Sequence, residues 1–180
     1  MSGELDPKEL PLKKGDLLDA LARAEVRLRD DLLDESEDWS TLNIDYEPPR
    51  VERLWRQHEA GFRICLHRIH PCERALFHPH PWPSAIKILS GTYEMGVGFG
   101  SGQDVPKEAA TIRLTAGATY EMIEPDGWHY VRPIGEPSLS LMVTGLPWER
   151  WSPHPQGKLE GLPAKERDKL LDIFRAVYWN

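Results

Sequence analysis

A chain of 180 residues, 28% charged and 40% apolar, has the composition of a single globular domain with one core, which excludes a disordered or fibrous chain. Its formal net charge of -7, without a Lys/Arg cluster, leaves no electrostatic footprint for nucleic acid or an anionic membrane surface, so a small molecule or a protein is the expected partner. Residues 1–14 hold no apolar run of signal-peptide length, nothing reaches the roughly eighteen consecutive apolar residues of a membrane span, and Cys65 and Cys72 are the only cysteines; a cytoplasmic protein with free thiols is expected.

In chain order, residues 16–35 place Leu17, Leu18, Leu21, Ala24, Val26, Leu28, Leu32 and Leu33 mostly at helical spacing with charges between them, which predicts an amphipathic helix whose apolar stripe packs on the core. Pro48 and Pro49 interrupt regular structure, because proline fixes its own φ and restricts the residue before it. From 51 to 146 the texture is β, with short apolar segments at 62–69, 85–89, 93–99, 111–114, 120–123 and 139–144 between Gly, Pro and Asp clusters, the pattern of a sandwich or barrel. The glycines at 96, 98, 100 and 102 have no helix pattern behind them, so the stretch 96–108 reads as a flexible loop and not as a phosphate-binding turn. Residues 163–178 return to helical spacing through Leu170, Leu171, Ile173, Phe174 and Val177. The expectation is one domain over 1–180: a helical extension at 1–48, a barrel at 51–146 and a second helical extension at 147–180.

The chemistry is concentrated in three histidines. His78 and His80, two apart on a strand, point to one face, and His129, in the stretch Pro125-Asp126-Gly127-Trp128-His129, comes from another strand. Three imidazoles on one face hold a divalent metal and leave coordination positions open. Trp82, Trp128 and Tyr130 flank them and are read either as pocket walls or as ordinary barrel packing. Lys87, Glu94, Glu121 and Arg132 are read either as side chains reaching into the barrel or, by default, as charges on the outer, solvated side. His67 and His70, three apart, lie on opposite faces of one strand and cannot both join the metal, and His58 and His154 sit in irregular segments; all four are read as hydrogen-bonded or exposed.

These residues resemble the two metal-binding motifs of the cupin superfamily. His78, His80 and Gly91 match the first, with Ser84 where the motif carries Glu; Pro125, Gly127 and His129 match the second, shortened by one residue. The resemblance implies an all-β core, a double-stranded β-helix (jelly-roll barrel) with flanking helices, a three-histidine metal site and a homodimer. The stretches 62–80, 85–91, 129–131 and 136–141 look like the cysteine-dioxygenase-like branch, and the likeness covers about the middle half of the chain. That branch implies Fe(II), with Zn(II), Ni(II) or Mn(II) as alternatives, and a pocket drawn from Trp82, Ser84, Trp128 and Met142. Met142 and Thr144 stand where those enzymes carry a His and a Tyr that assist at the active site. Arg53 and Arg56 lie near the place of their carboxylate-gripping arginine. The expected function is a non-haem iron dioxygenase acting on a small organic or thiol substrate. The alternatives are a cupin that binds a metal or small ligand without turning it over, and a non-oxidative metal-dependent isomerase or lyase.

Overall fold

The computed structural model describes residues 13–34, 38–58, 61–149 and 158–179. Helix α1 (Asp16–Arg27) runs into a π-helical turn at Leu28–Leu32. Ten strands follow: β1 (Ser40–Ile44), β2 (Val51–Gln57), β3 (Arg63–Ile69), β4 (His78–Pro79), β5 (Ser84–Ser90), β6 (Thr92–Phe99), β7 (Ala110–Thr115), β8 (Thr119–Met122), β9 (Gly127–Pro133) and β10 (Ser138–Thr144). Helix α2 (Ala164–Trp179) ends the described chain. No helix among the described residues is long and apolar enough to cross a membrane.

The pairing is nested. β3 pairs with β10, β4 with β9, β5 with β8 and β6 with β7, all antiparallel, and successive pairs fall alternately in two sheets. A long hairpin rolled up in this way is a jelly roll. The first sheet has the order β1-β2-β3-β10-β5-β8 and the second β4-β9-β6-β7. The fold is therefore a double-stranded β-helix, a jelly-roll barrel. β1 lies within the stretch expected to be helical: the extension before residue 48 adds a strand to the first sheet, and only then does the chain turn through a cis Pro48–Pro49 bond into β2.

Side-chain alternation gives the first sheet two buried faces. Leu54, Ile64, Leu66, Ala85, Leu139, Leu141 and Val143 point outward and form one apolar cluster with Leu17, Ala20, Leu21 and Ala24 of α1 and Leu170, Leu171 and Phe174 of α2. Leu17, Leu21, Ala24, Leu28 and Leu33 of the predicted stripe are thus core, with Leu18 packed at its margin, whereas Val26 is 57% exposed and belongs to the solvent side. The Lys87 ammonium, on the same outer face, donates to both carboxylate oxygens of Glu25 at 2.7 Å and ties α1 to β5. The inner face, from Arg53, Cys65, His67, Ile86, Ser140 and Met142, looks toward the second sheet. This is why β10 is buried along its whole length.

Three glycines hold places that composition alone does not explain. Gly91, at φ 84°, makes the turn from β5 to β6, and a Cβ there would stand 3.0 Å from the Ser138 Cα, so both backbone angle and space demand glycine. Gly96 and Gly98 belong to strand β6, not to a flexible loop. A Cβ at Gly96 would come within 2.1 Å of Cε1 of Tyr130, and one at Gly98 within 3.0 Å of Cζ of Phe77. The missing side chains make room for aromatic rings on the outer face of the second sheet. Gly96→Ala must push the Tyr130 ring off its seat, an overpacking penalty of about 1–3 kcal/mol. Urea unfolding of the variant should show a lower midpoint; an unchanged midpoint would mean the ring does not need that space.

Candidate functional site

The two sheets enclose a cavity of about 500 Å³, a size suited to a small ligand. One wall comes from the second sheet. His78 on β4 and His129 on β9 are register partners, and His80 follows directly after β4, its backbone N–H donating to the Gly127 carbonyl at 3.3 Å. All three histidines line the cavity. The ring centres of His78 and His129 are 4.8 Å apart and those of His80 and His129 5.0 Å apart. The shared strand pairing brings together residues far apart in sequence.

Backbone carbonyls fix the tautomers of two of these rings. Nδ1 of His78 lies 2.9 Å from the Leu76 carbonyl and Nδ1 of His80 lies 2.6 Å from the Trp82 carbonyl. A carbonyl only accepts, so each Nδ1 carries the proton and each Nε2 is the unprotonated nitrogen, the one able to act as a ligand. Ser84, fully buried, sets its Oγ 3.3 Å from the same His80 nitrogen. His129 has a buried Nδ1 with no hydrogen-bond partner. Burial lowers the pKa of His78, against a smaller upward push from its bond to the Leu76 carbonyl; burial, then the neighbouring His78 and His80 rings, holds His129 well below the ordinary 6.5. The rings of His78 and His129 are therefore neutral at neutral pH, the state a metal requires.

The donor set fits a divalent first-row ion. Tautomers locked by backbone carbonyls, neutral rings and an orphaned ring nitrogen are what such a site needs. Two imidazoles each ~2.1 Å from one ion at roughly a right angle place their ring centres about 5 Å apart, close to the separations found here. Among the described residues no group of three or more His, Cys, Asp or Glu side chains closes to metal-holding distance, so the rings surround a common space without meeting in it.

The opposite wall comes from the first sheet. Arg53 on β2 and His67 on β3 are register partners, both line the cavity, and Nε of Arg53 donates to Nε2 of His67 at 2.7 Å. His67 must therefore be neutral, in agreement with a pKa held well below 6.5 by burial, then by Arg53 and His80. Among the described residues no carboxylate lies within ion-pair distance of Arg53, and burial lowers the pKa of its guanidinium. A half-buried cation with no carboxylate beside it among the described residues, facing a cavity, is a place for an anion. Arg56 is elsewhere: it pairs with Asp38 at 3.3 Å and lies over the Trp39 ring.

Of the pocket residues expected from sequence, Trp82 and Met142 line the cavity, whereas Ser84 and Trp128 lie outside the lining. Ser84 sits behind His80. Trp128 faces away from the cavity because it neighbours the inward His129; its indole N–H donates to the Gly100 carbonyl at 2.8 Å and its ring packs against Phe77. Tyr130 is outward for the same reason and donates to Glu94, which also pairs with Arg132 at 2.7 Å. Glu121 accepts the Gly15 amide at the start of α1. His70 is outward and 2.9 Å from the Glu52 carboxylate, while His154 lies outside the described residues. The thiols of Cys65 and Cys72 are free, and burial pushes both upward in pKa. Sequence reasoning gave no site role to His67, Tyr93 or Tyr120, all of which line the cavity.

The lowered histidines carry a pH consequence. An unfolded histidine binds a proton near pH 6.5, whereas folded His67, His78 and His129 do so only at lower pH, so the unfolded state binds more protons in between and is favoured by acid. Stability of chelated protein should be level above about pH 6.5 and fall below it, by up to about 1.4 kcal/mol per pH unit for each histidine. Urea midpoints measured across this range check the sign; a stability that rises on acidification would contradict it.

No protein-family model matches this chain, and no curated protein sequence does. Among solved structures it is similar to hydroxypropylphosphonic acid epoxidase from S. wedmorenis, at 18% identity over 62% of this chain with a TM-score of 0.45; the match spans 56% of that protein, about half its length. It is also similar to oxalate decarboxylase from Lactobacillus farciminis, at 19% identity over 63% of this chain and 33% of that one, TM-score 0.45. The cupin domain of Cnp3 from Schizosaccharomyces pombe is 17% identical over 53% of this chain and 61% of its own, TM-score 0.39. The fold assignment itself rests on the nested strand pairing.

Proposed function

We propose that this chain is a metal-dependent cupin enzyme, a three-histidine non-haem iron dioxygenase that acts on a small organic anion. The observation that carries the reading is the pairing of His78, His80 and His129 on one wall of a cavity with an uncompensated Arg53 on the other. A divalent ion held by the three histidines supplies a Lewis-acid centre that, as iron(II), adds redox chemistry with dioxygen.

The protein's share is binding and orientation. Arg53 grips the anionic end of the substrate, and the bond from its Nε to His67 keeps the guanidinium turned inward with its other N–H groups free for the ligand. Trp82, Ile86 and Met142 give the cavity an apolar wall that limits water around the bound molecule. Leu76 and Trp82 carbonyls hold His78 and His80 in the tautomer that presents Nε2.

A second reading, a cupin that binds without turnover, is favoured by Met142, an apolar side chain on the wall where a proton-handling group would assist catalysis. Oxygen consumption decides between them. Protein reconstituted anaerobically with Fe(II) and offered a panel of small thiols and carboxylic acids should take up dioxygen with at least one of them. Binding of panel members without any oxygen uptake or product would give the site to the second reading.

A further inference from the structure

At one end of the cavity lie two phenols that the metal reading does not use. Tyr93 on β6 belongs to the second sheet and Tyr120 on β8 to the first, and their hydroxyls meet at 2.9 Å across the cavity. Two hydroxyls joined by a single hydrogen bond share one of their two protons and leave the other over. With Tyr93 donating, the spare proton is on Tyr120, and no acceptor among the described residues takes it. Burial raises the pKa of both phenols, Tyr120 to about 12, so the pair stays protonated and acts as a donor.

The placement separates this donor from Arg53. In the order β2-β3-β10-β5-β8, Arg53 and Tyr120 lie on strands at the two sides of the inner face, with Met142 and Ile86 between them as register partners in the row that ends on Tyr120. One cavity thus carries a cation at one side, a phenolic donor at the other and an apolar floor between.

We propose that Tyr120, positioned by Tyr93, is a specificity-determining donor that selects ligands carrying a second oxygen acceptor besides the anion held at Arg53. The substrate class is then a small carboxylate with a further carboxylate or carbonyl oxygen. The inference rests on the cavity being the ligand site and names what that ligand must bear. A donor bond to an acceptor of this kind is worth about tenfold in affinity.

The test is calorimetric titration of the full-length protein with malonate, succinate, glutarate and adipate, each against the monocarboxylate of the same chain length. Wild type should bind at least one dicarboxylate about tenfold more tightly than its monocarboxylate. Tyr120→Phe should bring that ratio to about one while monocarboxylate affinity stays within about twofold. Tyr93→Phe, which leaves the donor but not its positioning, should lower the ratio less, and it carries the test on its own if Tyr120→Phe does not fold. Monocarboxylate binding that Arg53→Met abolishes, with no dicarboxylate preference in wild type or with one that survives both tyrosine variants, overturns the proposal and leaves the cavity reading in place. No binding of any carboxylate overturns both.

Discussion

His129→Ala should yield folded protein with no bound ion and no turnover. The ring touches both other histidines, and its Nδ1 is buried without a hydrogen-bond partner, so in the metal-free protein the native residue carries an unsatisfied group worth about 1–3 kcal/mol. Truncation to alanine removes that cost and leaves a cavity in its place, two effects of similar size and opposite sign. Stability of the metal-free variant should therefore stay within about 1–2 kcal/mol of wild type. Metal affinity should fall by several orders of magnitude, because two imidazoles remain where three are needed. His80→Ala should behave alike in metal content but lose more stability, since its ring also holds the Trp82 carbonyl and the buried Ser84 hydroxyl. Elemental analysis beside urea unfolding separates the two effects. A His129→Ala protein that kept its ion would place the metal elsewhere.

Arg53→Met should separate binding from stability even more clearly. A half-buried guanidinium with no carboxylate beside it among the described residues carries a desolvation cost, and an apolar side chain of similar length relieves that. The loss is one hydrogen bond to His67, whose Nε2 can turn to water in the cavity. The net change in unfolding free energy should be about 1 kcal/mol or less in either direction. Affinity for anionic ligands should fall about 100-fold, the scale of a lost charge-assisted bond, with KM rising more than kcat falls. If Arg53→Met instead lost several kcal/mol of stability and kept its affinity for carboxylates, the arginine would be a structural residue.

The division of labour along the chain shows what the sequence could reveal. The histidine wall was legible because its elements are local: His78 and His80 two apart, and a glycine at the turn after β5 whose positive φ no other residue adopts easily. The Arg53 wall was not. In Val51-Glu52-Arg53-Leu54-Trp55-Arg56-Gln57 charges fall on both faces of the strand, and only the helices packed over Leu54 show that Arg53 looks inward and Arg56 does not. The strands that carry Tyr93 and Tyr120 were visible from their apolar patterns, but their meeting depends on the pairing of β5 with β8 and β6 with β9, which no periodicity encodes. β1 was hidden because Ser40-Thr41-Leu42-Asn43-Ile44 is mostly polar and half-buried, at the edge of the sheet. The glycines at 96 and 98 misled for a physical reason: a strand that must admit neighbouring rings has the composition of a loop.

The central claim is that His78, His80 and His129 together hold one divalent ion. The measurement that tests it most directly is elemental analysis of protein purified anaerobically without chelator, run in parallel on wild type and His129→Ala. The account predicts about one equivalent of a first-row divalent metal, iron above all, per wild-type chain and essentially none in the variant. Wild-type protein that carries no metal and takes up none from added Fe(II), Mn(II), Ni(II) or Zn(II) would contradict it.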